Sequence, residues 1–230
     1  MANRNTQGFG LIPAGTLGAT PSTGGQNKYK IDSGYTTSLY LGQPVQYDTA
    51  GGAATNAGYV ISGQDAITRP TIGVFNGIFY TASGTLKPTW ASHFVRGTAP
   101  ANSEDVDCFV IDNPFQQYNV QLNARLAATA VLAQAEMGKT MGLTVSALGA
   151  GSDASGSTTS GQSNSQLTVG TASNAVANQW RLLRVAEDPE NEDLITTAQT
   201  NPALANFSGQ ATVVVVANQS QWFGSGQVSA

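Results

Sequence analysis

The chain has 230 residues, enough for one large domain or two small ones with a real core. Only 10% of the residues are charged, against about 25% in an average globular protein. The ten Lys and Arg residues are scattered and the net charge is −4, which excludes a cationic nucleic-acid footprint, while one cysteine, Cys108, excludes an internal disulfide framework.

Residues 1–28 are rich in Gly, Pro, Thr and Asn, with isolated apolar groups at Phe9, Leu11 and Ile12. Such a segment buries too little to fold alone, so the reading is an extended N-terminal arm that orders on a neighbour through its "FGLI" cluster. "MANRNTQGFGLIPAG" holds no apolar run of signal-peptide type, and the expectation is synthesis in the cytoplasm. A β-rich body is expected over 29–230. "YTTSLYLGQPVQYD", "AGYVISG", "TIGVFNGIFYTA", "DVDCFVID" and "QYNVQLN" carry the alternation and the Thr, Tyr and Val content of strands. "NARLAATAVLAQAEMGK" breaks the pattern: Leu122, Leu126, Ala130, Ala133 and Met137 follow helical spacing, and Gly138 stands where a C-cap falls. One short helix is predicted there. Ser146 to Gln166 is a Ser/Gly-rich stretch that reads as a long surface loop or as a linker between two subdomains. Strand candidates resume with "SQLTVG", "QWRLLRVA" and "ATVVVVAN"; the last suits a strand buried on both faces and is far too short to cross a bilayer. No internal repeat is present. The fold class is all-β, an antiparallel sandwich or barrel of β-tulip or jelly-roll type.

Few motifs survive a test of their chemistry. With one histidine, every triad mechanism needs His93, and "WASHFV" carries no nucleophile-elbow pattern; a polar group at the edge of an aromatic cluster is the expectation. One Cys and one His fifteen residues apart cannot supply a zinc site. "EMGKT" lacks the upstream Gly of a phosphate loop, with Ala133 in its place. "EDPENED" (Glu187 to Asp193) lacks the alternation of a calcium loop and reads as a solvated turn. No cofactor or metal is expected. The aromatics are more informative. "IGVFNGIFYTASGTLKPTWASHFV" (Ile72 to Val95) reads as a β-hairpin with packed rings, and Trp222 and Phe223, in a polar tail, read as interface anchors. The candidate contact residues are therefore Phe9, Leu11, Ile12, Trp222 and Phe223.

The order of these phrases carries a resemblance: a Gly/Thr-rich arm, "LYLGQPVQYD", "IGVFNGIFYTASGTLKPTWASHFV", "DCFVIDNPFQQYNVQ", "AATAVLAQAEMGK", "SGQSNSQL", "QWRLLRVAEDPENED" and "ATVVVVANQSQ". The chain resembles the head decoration, or cement, proteins of tailed bacteriophages, particularly those of marine and cyanobacterial phages. The resemblance implies a non-enzymatic homotrimer on the outside of an icosahedral capsid, with the major capsid protein and itself as partners. It implies no nucleic acid, no membrane and no catalytic residues. Residues 150–165 are longer and richer in Ser and Gly than the resemblance leads one to expect. An uncharged polar surface agrees with it, because little charge has to be desolvated when a partner covers it. The alternative is a virion-associated carbohydrate-binding or host-adhesion β-module, with Trp90 or Trp222 as its platform. A glycan hydrolase is a third reading.

Overall fold

Apolar and polar residues alternate along most of the expected strands, and alternation fixes which face of a strand turns to a core. The computed structural model describes residues 8–18, 21, 25–48, 58–63, 70–124, 126, 134–145, 156–169, 178–187 and 211–223. Thirteen strands lie among these residues: β1 (Ile12–Thr16), β2 (Asn27–Ile31), β3 (Pro44–Tyr47), β4 (Val60–Ser62), β5 (Gly73–Thr81), β6 (Pro88–Ala91), β7 (Val106–Ile111), β8 (Gln116–Gln121), β9 (Thr140–Met141), β10 (Leu143–Val145), β11 (Ser165–Leu167), β12 (Trp180–Val185) and β13 (Thr212–Ala217).

They form three antiparallel groups. A five-stranded sheet runs β1-β8-β13-β12-β9, a six-stranded sheet runs β2-β7-β5-β3-β4 with β6 also on β5, and β10 and β11 make a ribbon. The chain is thus all-β, of antiparallel sandwich type. Among the described residues no sheet closes into a barrel, which favours the sandwich form of the expectation.

Each large sheet has its own core. The first holds Tyr118, Val120, Trp180, Leu182, Val213 and Val215, with Leu143 and Leu167 from the ribbon. The second holds Ile31, Val45, Phe75, Ile78, Cys108 and Val110. Val74 and Ile111 belong to strands of the six-stranded sheet yet pack into the first core, so the two cores abut. The run "VVVV" is buried on both faces, as expected. Val213 and Val215 face the core. Val214 and Val216 turn away from it and lie in register with Arg184 and Arg181 on β12 and with Asn119 and Gln117 on β8. The Arg184 guanidinium reaches Gln117 Oε1 at 3.1 Å, so its stem lies over β13. Arg184 thereby serves as a cover for apolar surface.

The described residues bear on three expectations. The described part of the N-terminal arm, residues 8–18, is built into the body. Leu11 is buried in the first core, its N–H bonds Gly42 O at 2.8 Å, and β1 pairs with β8. The apolar "FGLI" cluster does find a surface, and that surface belongs to the same chain. The expected helix falls mostly outside the described residues; Gln134 and Ala135 are helical, and Gly138 takes φ 83° where the cap was expected. The Ser/Gly-rich stretch stands between β10 and β11, which pair with each other from Leu143↔Leu167 to Val145↔Ser165. Its residues 146–155 lie outside the described ones.

Gln43 shows how the turns are fixed. Its Oε1 accepts the buried Tyr40 N–H at 3.0 Å and its Nε2 donates to Ser62 Oγ at 2.8 Å. Gln43→Ala removes that buried acceptor and is expected to lower unfolding free energy by about 1–3 kcal/mol. Urea denaturation checks this; an unchanged midpoint refutes the role given to the amide.

Candidate functional site

Two surfaces carry exposed apolar side chains, one on each large sheet. The first follows β1, an edge strand. Ile12 and Leu17 are each 43% exposed and Phe115, whose carbonyl accepts the Leu17 N–H at 2.9 Å, is 52% exposed. They form an apolar ridge about 17 Å long at strand rise. Pro13 interrupts the backbone donors of this edge, and the register slips by one residue between Pro13 and Gly15. Beside the ridge a groove of about 200 Å³ is lined by Phe9, Leu11, Ile12, Pro13, Leu41 and Phe75, among others. Its wall is fixed by Gln162, whose Nε2 donates to Phe9 O at 3.0 Å.

Of the expected contact residues, Phe9, Leu11 and Ile12 therefore come together. Leu11 is buried in the first core and also lines the groove. Ile12 stays outward. Trp222 does not line this groove. It sits half-exposed in a 3-10 turn, Gln221–Phe223, and its indole N–H donates to Ile72 O at 3.2 Å. It is thus a clamp on the six-stranded sheet as well as an exposed ring. The Phe223 side chain lies outside the described residues.

The second surface is the solvent face of the β5-β6 hairpin and of β7. The hairpin expected over 72–95 is present, with β5 and β6 paired from Ile78↔Ala91 to Thr81↔Pro88. Ile78, Cys108 and Val110 turn to the second core. Phe79, Trp90 and Phe109 turn outward. Trp90 is 67% exposed. Its ring lies 4.6 Å from Phe79 and 5.2 Å from Phe109, nearly parallel to the latter at 20°. Trp90 and Phe109 stand on strands that flank β5, and Phe109 is paired with Gly77. Flanking strands are about 9.5 Å apart, and the missing side chain at Gly77 lets the two rings meet over β5. Sequence reading found the aromatics but not this stripe, because the bulge at Phe75/Gly77 that turns Phe79 outward has no local signal.

The residues with chemical potential are held by packing. His93 stacks on Tyr40 with ring centres 5.8 Å apart at 8°, and its only hydrogen-bond partner among the described residues is Ser92 Oγ, 3.3 Å from Nδ1. A Cβ at Gly161 would collide with both Ser92 Oγ and His93 Nδ1, so the loop before β11 closes tightly over the ring. Cys108 is fully buried; burial, with the Asp107 charge second, pushes its thiol up to about 12, and a thiol in that state is unreactive. In "EMGKT", Lys139 is engaged by Glu136 at 2.8 Å and Thr140 opens β9. Of "EDPENED", only Glu187 lies among the described residues, and these contain no group of three His, Cys, Asp or Glu placed to hold a metal ion. No protein family, curated protein or solved structure matches this chain.

Burial lowers the pKa of His93 from its usual 6.5, so the folded state favours the neutral ring. The folded protein binds its proton less readily than the unfolded chain. Stability is then intact above about pH 6.5 and falls as the pH drops below that value toward the folded pKa. In melting curves between about pH 7 and pH 5, wild type is expected to lose more stability than His93→Gln. Parallel curves for the two proteins would refute the assignment.

Proposed function

We propose that the chain is a non-enzymatic virion structural protein, made in the host cytoplasm, that binds the outer surface of an icosahedral phage capsid as a homotrimer and stabilises it by bridging capsid-protein subunits. The observation that carries this reading is the apolar ridge of Ile12, Leu17 and Phe115 along the β1 edge of a protein with little surface charge. Covering such a ridge removes apolar area from water at about 25 cal/mol per Å², and no cluster of charge has to be desolvated with it. A single ridge of this size makes a weak contact. Three carried by one trimer act together, and linked contacts raise affinity by about 10²–10⁴ without further chemistry. The bridging position then sets the weak contacts against outward pressure on the shell. The resemblance of phrase order to head decoration proteins supports the same reading.

The experiment has two parts. Light scattering on the purified chain is expected to give three times the 23.7 kDa chain mass. The protein is then incubated with capsids of the phage that encodes it and sedimented. Wild type is expected to co-sediment, whereas an Ile12→Asp/Phe115→Asp double variant with unchanged circular dichroism is expected to bind at least about tenfold more weakly. A wild-type protein that stays in the supernatant, or a double variant that binds equally well, would sink the proposal.

A further inference from the structure

We propose that the outer face of the six-stranded sheet, from Trp90 across Phe109 to Lys28 and Lys30, is a binding site for an acidic carbohydrate, a glycan bearing uronic-acid carboxylates. This goes beyond the structural role and uses none of the β1 ridge.

The aromatic part supplies the platform. Trp90 is 67% exposed and has no core to fill, yet its ring is held between Phe79 and Phe109 on a paired hairpin. Such a ring offers a rigid apolar surface at little cost in side-chain entropy. A pyranose ring presents one face of C–H bonds to a surface of this kind and keeps its hydroxyls in water.

The charged part supplies the choice among sugars. On β2, Lys28 stands directly opposite Phe109 and Lys30 opposite Asp107. Residues directly opposite in an antiparallel pair point to the same side, so both lysines share the face of the stripe. Lys28 Nζ lies 2.8 Å from Asp107 Oδ2, and the Lys28 side chain is 60% exposed, which leaves ammonium hydrogens facing water. Within the paired stretch of β2 and β7 this face carries two lysines and one aspartate, and Asp32 and Asp105 follow just past its end. A carboxylate on a sugar stacked at Trp90 and Phe109 meets these ammonium groups one strand away, and charge-assisted bonds of that kind are the stronger ones. A neutral sugar gains only the stack.

Other ligands fit less well. β6 is four residues long and begins with Pro88, which lacks an N–H, so it is a poor template for an added peptide strand. Single-stranded nucleic acid stacks on aromatics too, but its phosphates need a cationic track along several nucleotides, and two lysines with one aspartate do not make one.

The test is a titration of the full chain with a hexamer of mannuronic acid, followed by calorimetry. Neutral mannohexaose, hexa-aspartate and hexathymidylate are titrated alongside. Saturable binding of the uronate hexamer is expected, weaker by about tenfold in Trp90→Ala and by several-fold in a Lys28→Gln/Lys30→Gln variant. It is also expected to weaken when NaCl is raised from about 50 to about 500 mM. Trp222→Ala should bind as wild type does. Trp90 lies outside the core, so Trp90→Ala is expected to keep its melting temperature, and that is measured first. Lys28→Gln/Lys30→Gln leaves the rings intact and tests the charge by itself. Absence of saturable binding overturns the proposal, and so does binding that ignores Trp90→Ala. Equal affinity for mannohexaose removes the role of the lysines. Tighter binding of hexa-aspartate or hexathymidylate reassigns the patch to an acidic protein surface or to single-stranded nucleic acid.

Discussion

The fold depends on filling the seam between two abutting cores with polar groups that carry no charge. Along that seam, backbone groups that do not belong to a ladder still need partners. The chain supplies them mainly from Gln and Asn. Gln179 Nε2 donates to Gly63 O at 3.1 Å, which ties the start of β12 to the end of β4. Gln221 Oε1 accepts the Tyr47 N–H at 2.9 Å, Thr71 N donates to Gln219 O at 3.3 Å, and Trp222 donates to Ile72 O, so the segment after β13 laces one sheet to the other. An amide offers a donor and an acceptor on one side chain. An ion pair in the same places would lose its hydration on both sides. The low charge of the sequence is therefore a property of the interior as much as of the surface.

Close approach of backbones is the other half of the same constraint. A Cβ at Gly73 would collide with Ile111 O, so β5 and β7 meet more closely there than any side chain permits. That approach places Val74 and Ile111 in the first core while their neighbours fill the second. The same economy operates at Gly156, where a Cβ would run into the Tyr40 ring. The loop before β11 lies flat on Tyr40 and His93 for that reason, and Leu41 donates its N–H to Gly161 O and accepts the Ser163 N–H, each at 2.9 Å.

Strands whose partners are near in sequence, or whose residues are β-branched and apolar, were legible. The alternation in "TIGVFNGIFYTA" and "DVDCFVID" and the run "VVVV" point directly at β5, β7 and β13. β1 was not legible. "IPAGT" contains Pro, Ala and Gly and no periodic apolar face, and its partner β8 lies about a hundred residues downstream, so only tertiary pairing makes it a strand. β9 and β10 are two and three residues long, too short for any pattern to register. At the surface, exposed apolar groups were legible where a polar setting surrounded them, as at Ile12 and Trp222. Leu11 is buried beside the outward Ile12, because one residue's difference in register separates a core position from an exposed one. Leu17 and Phe115 were missed, since single apolar residues beside turns look the same whether they end up covered or bare.

Both exposed surfaces sit on short edge strands, β1 and β6, and both strands are handled alike. Each carries a proline, Pro13 or Pro88, and β1 has a register slip as well. These features spoil the row of donors and acceptors that would otherwise invite another strand. They leave the side chains untouched. An edge with a broken row of donors, bridged on β1 at Gly15↔Pro21, that presents Ile12 and Leu17, or Trp90, selects partners by side-chain shape and ring chemistry more than by sheet extension. The ridge and the stripe also belong to different sheets with different cores, so a substitution on one leaves the packing under the other unchanged, and their effects are separable by additivity.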